Sequence, residues 1–450
     1  MSGAAVRPAP QLRRELGLRD LVLFNIAAVI GIRWLAAAAH TGPVSITLWL
    51  LAGALFFVPS ALAVAALSAR FPDEGGIYVW TRQGFGDWHG FLCGWCYWLS
   101  NLFYLPNLLL AGVDMAGYAL GISEVKIYIV SISLTILWIG LLTNIFGLNI
   151  AKWTNNAGAL ATYTFGALII AAGGYVWMRF GSATPFRLAP HWDLEKVNFW
   201  SQIAFAFGGL ELGATLGGEI RHPRRDVPRA AWISGFCIAA FYILGSASLM
   251  VLMPPDRISI LTGLVQASTQ AGARLGSAWL GPAMIALILA GVAGQLCAWI
   301  GGCARVPFVI GIDCYLPPSF ARLHPRWGTP HVALLTQGIA CTVFVLALQA
   351  GENLRIAYQL LVDMTVIVYF IPFLYLFAAA WKHGQKVSSA SGLLVTGVSI
   401  AVSLIPPGDV HSVWLFEFKL VAGCAALVVA ARLIFLAAAG RRRARVPALR

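Results

Sequence analysis

The sequence predicts an all-α membrane protein of twelve transmembrane helices with both termini in the cytoplasm. Three observations carry that expectation. Of the 450 residues, 59% are hydrophobic and only 11% charged, and the mean hydropathy is +0.78; a soluble chain of this length needs far more charge to cover its surface. Apolar stretches of roughly 20 residues recur along the chain, each long enough to cross about 30 Å of hydrocarbon at 1.5 Å per residue. Most of the 31 Lys and Arg fall on the side of the termini, which the positive-inside rule makes cytoplasmic.

Taken in order, the N-terminal stretch "MSGAAVRPAPQLRRELGLRD" is basic and lacks a short apolar region ending in a small-residue cleavage site, so a cytoplasmic tail (1–18) is expected rather than a cleaved signal. Span one, 19–39, is apolar except for Arg33 beside Gly31 in "VIGIRWLAAAAH". Spans two to five, 46–69, 88–118, 125–148 and 157–178, read as ordinary membrane helices. Span six, 199–219, is interrupted in "FAFGGLELGATLGGE" by five glycines and Glu211. Spans seven to ten, 229–253, 279–304, 331–350 and 355–381, follow, the last carrying Asp363 in "QLLVDMTVIVYFIP". Spans eleven and twelve, 389–406 and 411–437, lead to a basic tail (439–450) containing "GRRRAR".

Spans one and six each open a block of five. Unwound backbone at membrane depth is tolerated where it lines a cavity, and interrupted helices in corresponding places of two halves mark an inverted repeat with substrate held between them. The expected organisation is one transporter domain, 19–438, made of repeat one (19–179), repeat two (198–382) and two extra helices (388–438).

Other chemistries find little support. Cys93-Gly94-Trp95-Cys96 has thiol-redox spacing, yet it lies within an apolar helix where cysteine acts as a small hydrophobe. The eight cysteines sit mostly in apolar spans, so no disulfide framework is expected. The histidines lie mainly at loops without the spacing of two ligands on one helix face, so no metal is expected. No Gly-rich phosphate loop or nucleophile elbow is present, which disfavours an ATP-driven pump, an enzyme and a bound cofactor. The +13 net charge reflects topology and contact with anionic lipid of the bilayer rather than a nucleic-acid partner.

Depth singles out three charges. Arg33 lies about 14 residues, or about 21 Å, into its span from the inside, Glu211 about 12 residues (about 18 Å) from the outside and Asp363 about 8 residues (about 12 Å). All three can meet near the centre, where isolated charges cost several kcal/mol and face a cavity or one another. The planar fork of Arg33 suits a substrate carboxylate or a fixed salt bridge to Glu211 or Asp363. Glu211 and Asp363 are candidates for gating or proton coupling, with an inter-helix hydrogen bond the plainer role for Glu211.

With these residues in view, the chain resembles the amino acid–polyamine–organocation family of permeases over nearly its whole length. "FPDEGGIYVWTRQGFG" (71–86), "FAFGGLELGATLGGEIRHPRRDVPRA" (205–230) and "ARVPFVIGIDCYLPPSFARLHPRWGTP" (304–330) carry the likeness in order and spacing. It implies a LeuT-like 5+5 inverted repeat plus two extra helices, and transport of amino acids by proton symport or exchange. Glu211 falls on an acidic helix-six position linked to gating and proton sensing, and Phe205 on an aromatic gate of the same motif. Trp299, 18 residues before Pro317, has the spacing of a substrate-contacting Trp in the arginine/agmatine exchanger. Arg33 replaces the second Gly of the common Gly-x-Gly, as in the bacterial glutamate/γ-aminobutyrate exchangers. Thr162 stands where some proton-coupled members have lysine.

The substrate set expected is Ile30, Gly31, Arg33, Trp34, Tyr104, Phe205, Phe207, Gly208, Gly209 and Trp299, with Glu211 and Asp363 as the gating or coupling groups. A polyamine or sodium-coupled carrier, a transporter-like nutrient sensor and a membrane thiol oxidoreductase are the rival readings. The expected location is a bacterial inner membrane; neither the oligomeric state nor the particular amino acid follows from the residues.

Overall fold

The computed structural model describes residues 14–122, 126–186, 194–350, 354–405 and 413–445; the ends of both expected tails, 1–13 and 446–450, lie outside them. The described residues are almost wholly helical. They form α1 (Leu18–Val29), α2 (Arg33–Thr41), α3 (Val44–Ala52), α4 (Val58–Arg70), α5 (Ile77–Phe85), α6 (Asp87–Leu120), α7 (Lys126–Ile145), α8 (Leu148–Phe180), α9 (Leu194–Ala206), α10 (Leu210–Ala214), α11 (Pro223–Leu252), α12 (Gly263–Arg274), α13 (Leu280–Ile312), α14 (His331–Ala350), α15 (Leu354–Lys382), α16 (Lys386–Val402) and α17 (Val413–Arg445).

Seven helical stretches among the described residues are long and apolar enough to cross a membrane: Val44–Arg70, then α7, α8, α11, α13, α15 and α17. The pair α1 and α2, bent by 47°, makes an eighth. The remaining expected spans are helical too, on α6, on α9 with α10, on α14 and on α16. The chain is thus an integral membrane protein of helices.

Several boundaries differ from the hydropathy reading. α8 starts at Leu148 rather than 157, because Gly147, at φ +122°, turns the chain and the polar "LNIAKWTNN" continues as helix. α13 runs on to Ile312 past Arg305, whose guanidinium is fully buried and paired. α17 extends to Arg445, through most of the tail. α5 and α12 are short helices between spans that hydropathy does not mark.

Both expected interruptions are breaks in helix. Between α1 and α2, Ile30 adopts an extended conformation at φ −71° and ψ 93°. Between α9 and α10, Gly209 sits at φ +120°, a left-handed value open to glycine and strained for other residues. α3 passes into α4 through a wide turn at Gly53–Phe57; such turns add a residue and rotate the faces that follow. Trp49 before the turn stacks on Tyr242 of α11, whereas Phe56 packs on Phe370, Phe373 and Phe377 of α15.

Close packing fixes the helices around the breaks. Gly158 of α8 and Gly294 of α13 meet backbone to backbone, so a methyl group at either overlaps the other, the small-residue contact by which membrane helices approach closely. The N-terminal segment is also tied down. The amides of Glu15 and Leu16 donate to the Glu219 carbonyl at 2.9 and 3.0 Å, and the Arg221 amide returns to the Leu16 carbonyl at 3.0 Å. Leu16 and Ile220 thereby form an isolated parallel bridge.

Candidate substrate cavity and gates

Breaking α1 from α2 frees backbone groups that a continuous helix would pair internally. The Ala28 carbonyl accepts from Gln295 Nε2 at 3.1 Å and from Trp299 Nε1 at 2.8 Å, both on α13. Tyr242 of α11 joins the two breaks: its hydroxyl accepts from the Gly31 amide at 3.0 Å and shares its proton between the carbonyls of Val29, at 2.8 Å, and Ala206, at 3.0 Å. The breaks are therefore held open by side chains from two neighbouring helices.

Between them lies a narrow cavity lined by Ala28, Val29, Trp34, Tyr104, Phe205, Ala206, Gly208, Trp299 and Tyr369. Its walls are aromatic. Phe205 meets Trp34 at 6.0 Å between ring centroids, Tyr104 at 5.9 Å and Tyr369 at 5.1 Å. Trp299 meets Tyr104 at 5.2 Å and Tyr369 at 6.0 Å. The free space between the rings is about 10 Å³, room for about one water, against about 300–1,000 Å³ for cavities that hold small ligands, so the rings stand in a contracted arrangement.

Glu211 stands behind Tyr369. Its Oε1 accepts from the hydroxyls of Tyr97 on α6, at 2.9 Å, and Tyr369 on α15, at 2.7 Å, while Oε2 accepts the Gly209 amide at 3.1 Å. The carboxylate is buried and bridges three helices. It does not pair with Arg33. Tyr97 stacks on Tyr369 at 5.9 Å, so the three side chains form one hydrogen-bonded plate, of which Tyr369 lines the cavity.

Arg33 lies on the other flank. Its Nη1 donates to Asn107 Oδ1 of α6, and its guanidinium carbon sits 4.5 Å from the Trp34 ring and 5.5 Å from the Tyr104 ring, within the range of cation–π attraction. It lines a second narrow cavity with Ile32, Leu108, Ala111, Gly112, Met115, Ile288, Val292 and Gln295. Trp34 and Tyr104 thus stand between Arg33 and the inner cavity.

Of the residues expected at the site, Trp34, Tyr104, Phe205, Gly208 and Trp299 come together around the inner cavity. Ile30 and Gly31 form the break itself. Gly209 turns the second break, and Gly208 leaves the room that Tyr369 occupies, since a Cβ there meets its hydroxyl at 2.5 Å. Phe207 points elsewhere, packing on Trp49, Phe57 and Tyr242, because the break between α9 and α10 rotates it away from Phe205. Asp363 is buried on the span of Tyr369, about 9 Å along the axis from it at helical rise. Thr162 is buried against Gly291 of α13. Cys93 and Cys96 are buried and free, with Thr81 Oγ1 donating to Cys93 Sγ.

Tyr97, Tyr242, Gln295 and Tyr369 are the contributors that sequence reasoning missed. Each lies in an apolar run, and the one available signal is a lone polar group at helix depth, weaker than a charge or a glycine cluster.

Comparison with known proteins agrees with this architecture. Residues 16–436 match the family described as amino acid permease. An uncharacterized transporter of Legionella pneumophila is 28% identical over 438 residues, covering 91% of this chain and 94% of its own. The probable agmatine/putrescine antiporter AguD of Lactococcus lactis is 22% identical, with 87% and 86% covered. The serine/threonine exchanger SteT of Bacillus subtilis is 27% identical, with 81% and 83% covered.

Proposed function

Because the chain belongs to the amino acid permease family, it is a secondary transporter and not an enzyme, and we propose that it exchanges or symports an α-amino acid held between its two broken helices. The observation that carries this reading is the aromatic cavity lying against both breaks and capped by the Tyr97–Glu211–Tyr369 plate. A substrate carboxylate suits the first turn of α2, whose amides start a helix and carry its positive dipole end. The ammonium suits the faces of Trp299, Tyr104 and Phe205. Arg33, beyond Trp34 and Tyr104, screens what reaches the cavity through the second one, and its charge favours a carboxylate over a polyamine.

The broken-helix bundle of α1, α2, α10 and α11 rocks against the helices carrying Tyr97 and Trp299. Parting the Glu211 plate opens one path, and parting the rings around Phe205 opens the other. Exchange or proton symport is favoured over sodium coupling, because the freed carbonyls of Ala28 and Val29, the type of ligand a sodium ion needs, already accept hydrogen bonds from Gln295, Trp299 and Tyr242. Twelve spans in a 5+5+2 arrangement, cytoplasmic termini and a bacterial plasma membrane complete the reading, supported by the helical order, the basic loops and bacterial relatives. The Arg-rich segment 219–230, which includes the first turns of α11, then faces the cytoplasm and anchors helix six.

Counterflow in proteoliposomes with a panel of labelled amino acids and diamines, with and without a pH gradient, tests it. Accumulation of at least one amino acid is expected; if only diamines exchange the substrate class is wrong, and if nothing exchanges the transport reading is wrong.

A further inference from the structure

On the face of the protein that carries the N-terminal segment, a second set of charges lies well away from Glu211. The exit of helix six, residues 215–219, is stitched to the loop between α4 and α5 and to α13. The Gly75 amide donates to the Thr215 carbonyl at 3.0 Å and the Thr215 hydroxyl to the Gly302 carbonyl at 3.0 Å. Arg305 of α13 holds Glu219 through Nε and Nη2 at 3.0 and 2.9 Å and gives Nη1 to the Gly301 carbonyl at 2.7 Å. Glu74, from the loop, takes the Gly218 amide on Oε2 at 2.7 Å. The pieces are in tight contact, since a Cβ at Gly76 meets the Ala214 and Thr215 backbone at 3.0 Å.

The charges do not balance. Two carboxylates face one guanidinium, and the fork of that guanidinium is committed to Glu219. Glu74 Oε1 is enclosed, with no hydrogen-bond partner among the described residues. A buried carboxylate oxygen without a partner is costly, and a carboxyl that cannot be solvated or paired takes up a proton instead.

Resting on the transport reading above, we propose that Glu74 is a proton-binding site of the transport cycle. Its carboxyl is protonated while this face is closed, and it gives the proton to water when loop 72–76 parts from the exit of helix six. Burial pushes the Glu74 carboxyl well above the ordinary carboxylate range, with Glu219 adding to the rise and Arg305 and the Gly218 amide opposing it. Those are the charged and polar groups that act on it from the helix-six exit and from α13; on its own loop, Asp73 points to solvent. Arg305 spends Nε and Nη2 on Glu219, so Glu74 is the carboxyl left without a cation of its own.

The sign follows. Closure binds a proton, so acidification on this side holds the face shut, and the open population falls by up to about tenfold per pH unit below the midpoint. The test uses the reconstituted full chain, with pH varied only on the side of loop 72–76. Wild-type exchange is expected to slow on acidification, whereas Glu74→Gln, neutral at every pH, should be slow and pH-independent. Parallel profiles overturn the proposal.

A second measurement needs no substrate. A carboxyl with a raised folded-state pKa makes stability fall as pH climbs from the unfolded value through the folded one. The thermal midpoint of the detergent-solubilised wild type should therefore drop across that range relative to Glu74→Gln; identical slopes overturn the proposal. If Glu74→Gln does not fold, Glu74→Asp, which retracts from the Gly218 amide, should displace the wild-type profile along the pH axis, and an unmoved profile overturns it. If the wild type exchanges no amino acid at all, the transport reading fails, and the stability profiles alone decide whether Glu74 holds the proton.

Discussion

At the residue scale the molecule depends on a few hydroxyls. Tyr97 and Tyr369 each supply one hydrogen bond to the buried Glu211 carboxylate. Removing either hydroxyl weakens the plate by about 1.5–3 kcal/mol, the range for hydrogen bonds to charged groups. Tyr97→Phe and Tyr369→Phe should thus raise the reactivity of a cysteine placed at Ala214 toward a soluble thiol reagent; unchanged labelling rates would deny the plate a gating role. Tyr242→Phe leaves the Gly31 amide with the Val29 carbonyl alone, at 2.8 Å, and takes the shared proton from the Val29 and Ala206 carbonyls. It should cost about 1–3 kcal/mol, read as a lowered thermal midpoint with little change in the fold. Arg33→Ala should reduce carboxylate-dependent uptake, and Arg33→Lys, which keeps the charge but loses the Nη1 bond to Asn107 and the planar guanidinium over Trp34, should not restore it. Full activity in both would make Arg33 a packing residue. The charges were visible in the sequence because a guanidinium or carboxylate at membrane depth stands out against apolar neighbours. The tyrosines were not, since an aromatic in "CYWLSN" or "VYFIP" has the same pattern whether it packs or gates.

At the element scale, the two broken helices were legible because glycine and charge clusters conflict with a continuous membrane helix. Their register was less so. Periodicity through residues 205–207 puts Phe207 near the cavity, yet the turn at Phe207–Gly209 sends it to Trp49 and Phe57. Hydropathy likewise could not mark where helix outlasts the apolar run, as at the start of α8 and beyond residue 304 of α13. The break itself can be tested. Gly209→Ala forces a side chain into φ +120° and within 3.1 Å of Val29 Cγ2, a strain of about 1–3 kcal/mol. The variant should lose thermal stability and transport together, whereas Gly121→Ala, also at a positive φ but with open space around its Cβ, should lose stability alone. Equal transport by the two would separate the break from function.

At the scale of the whole molecule, the expected behaviour is that of two bodies closing alternately on one cavity. Replacing sodium with choline should leave uptake unchanged, because the freed carbonyls of helix one are already engaged by α13 and α11; a sodium requirement would refute that reasoning. The pinned N-terminal segment carries a consequence for how the chain is made. Glu15 and Leu16 pair with Glu219 and Arg221, and α1 relies on Tyr242 and Trp299, synthesised roughly 200 to 270 residues later. Because ribosomes deliver the chain from its N-terminus at about 5–20 residues per second, the first membrane helix waits on the order of ten seconds or more with its broken backbone uncapped. During that interval the lipid, the insertion machinery or early neighbours such as α8 must shelter it, and nascent chains stalled before α11 should be the ones that proteases clear first.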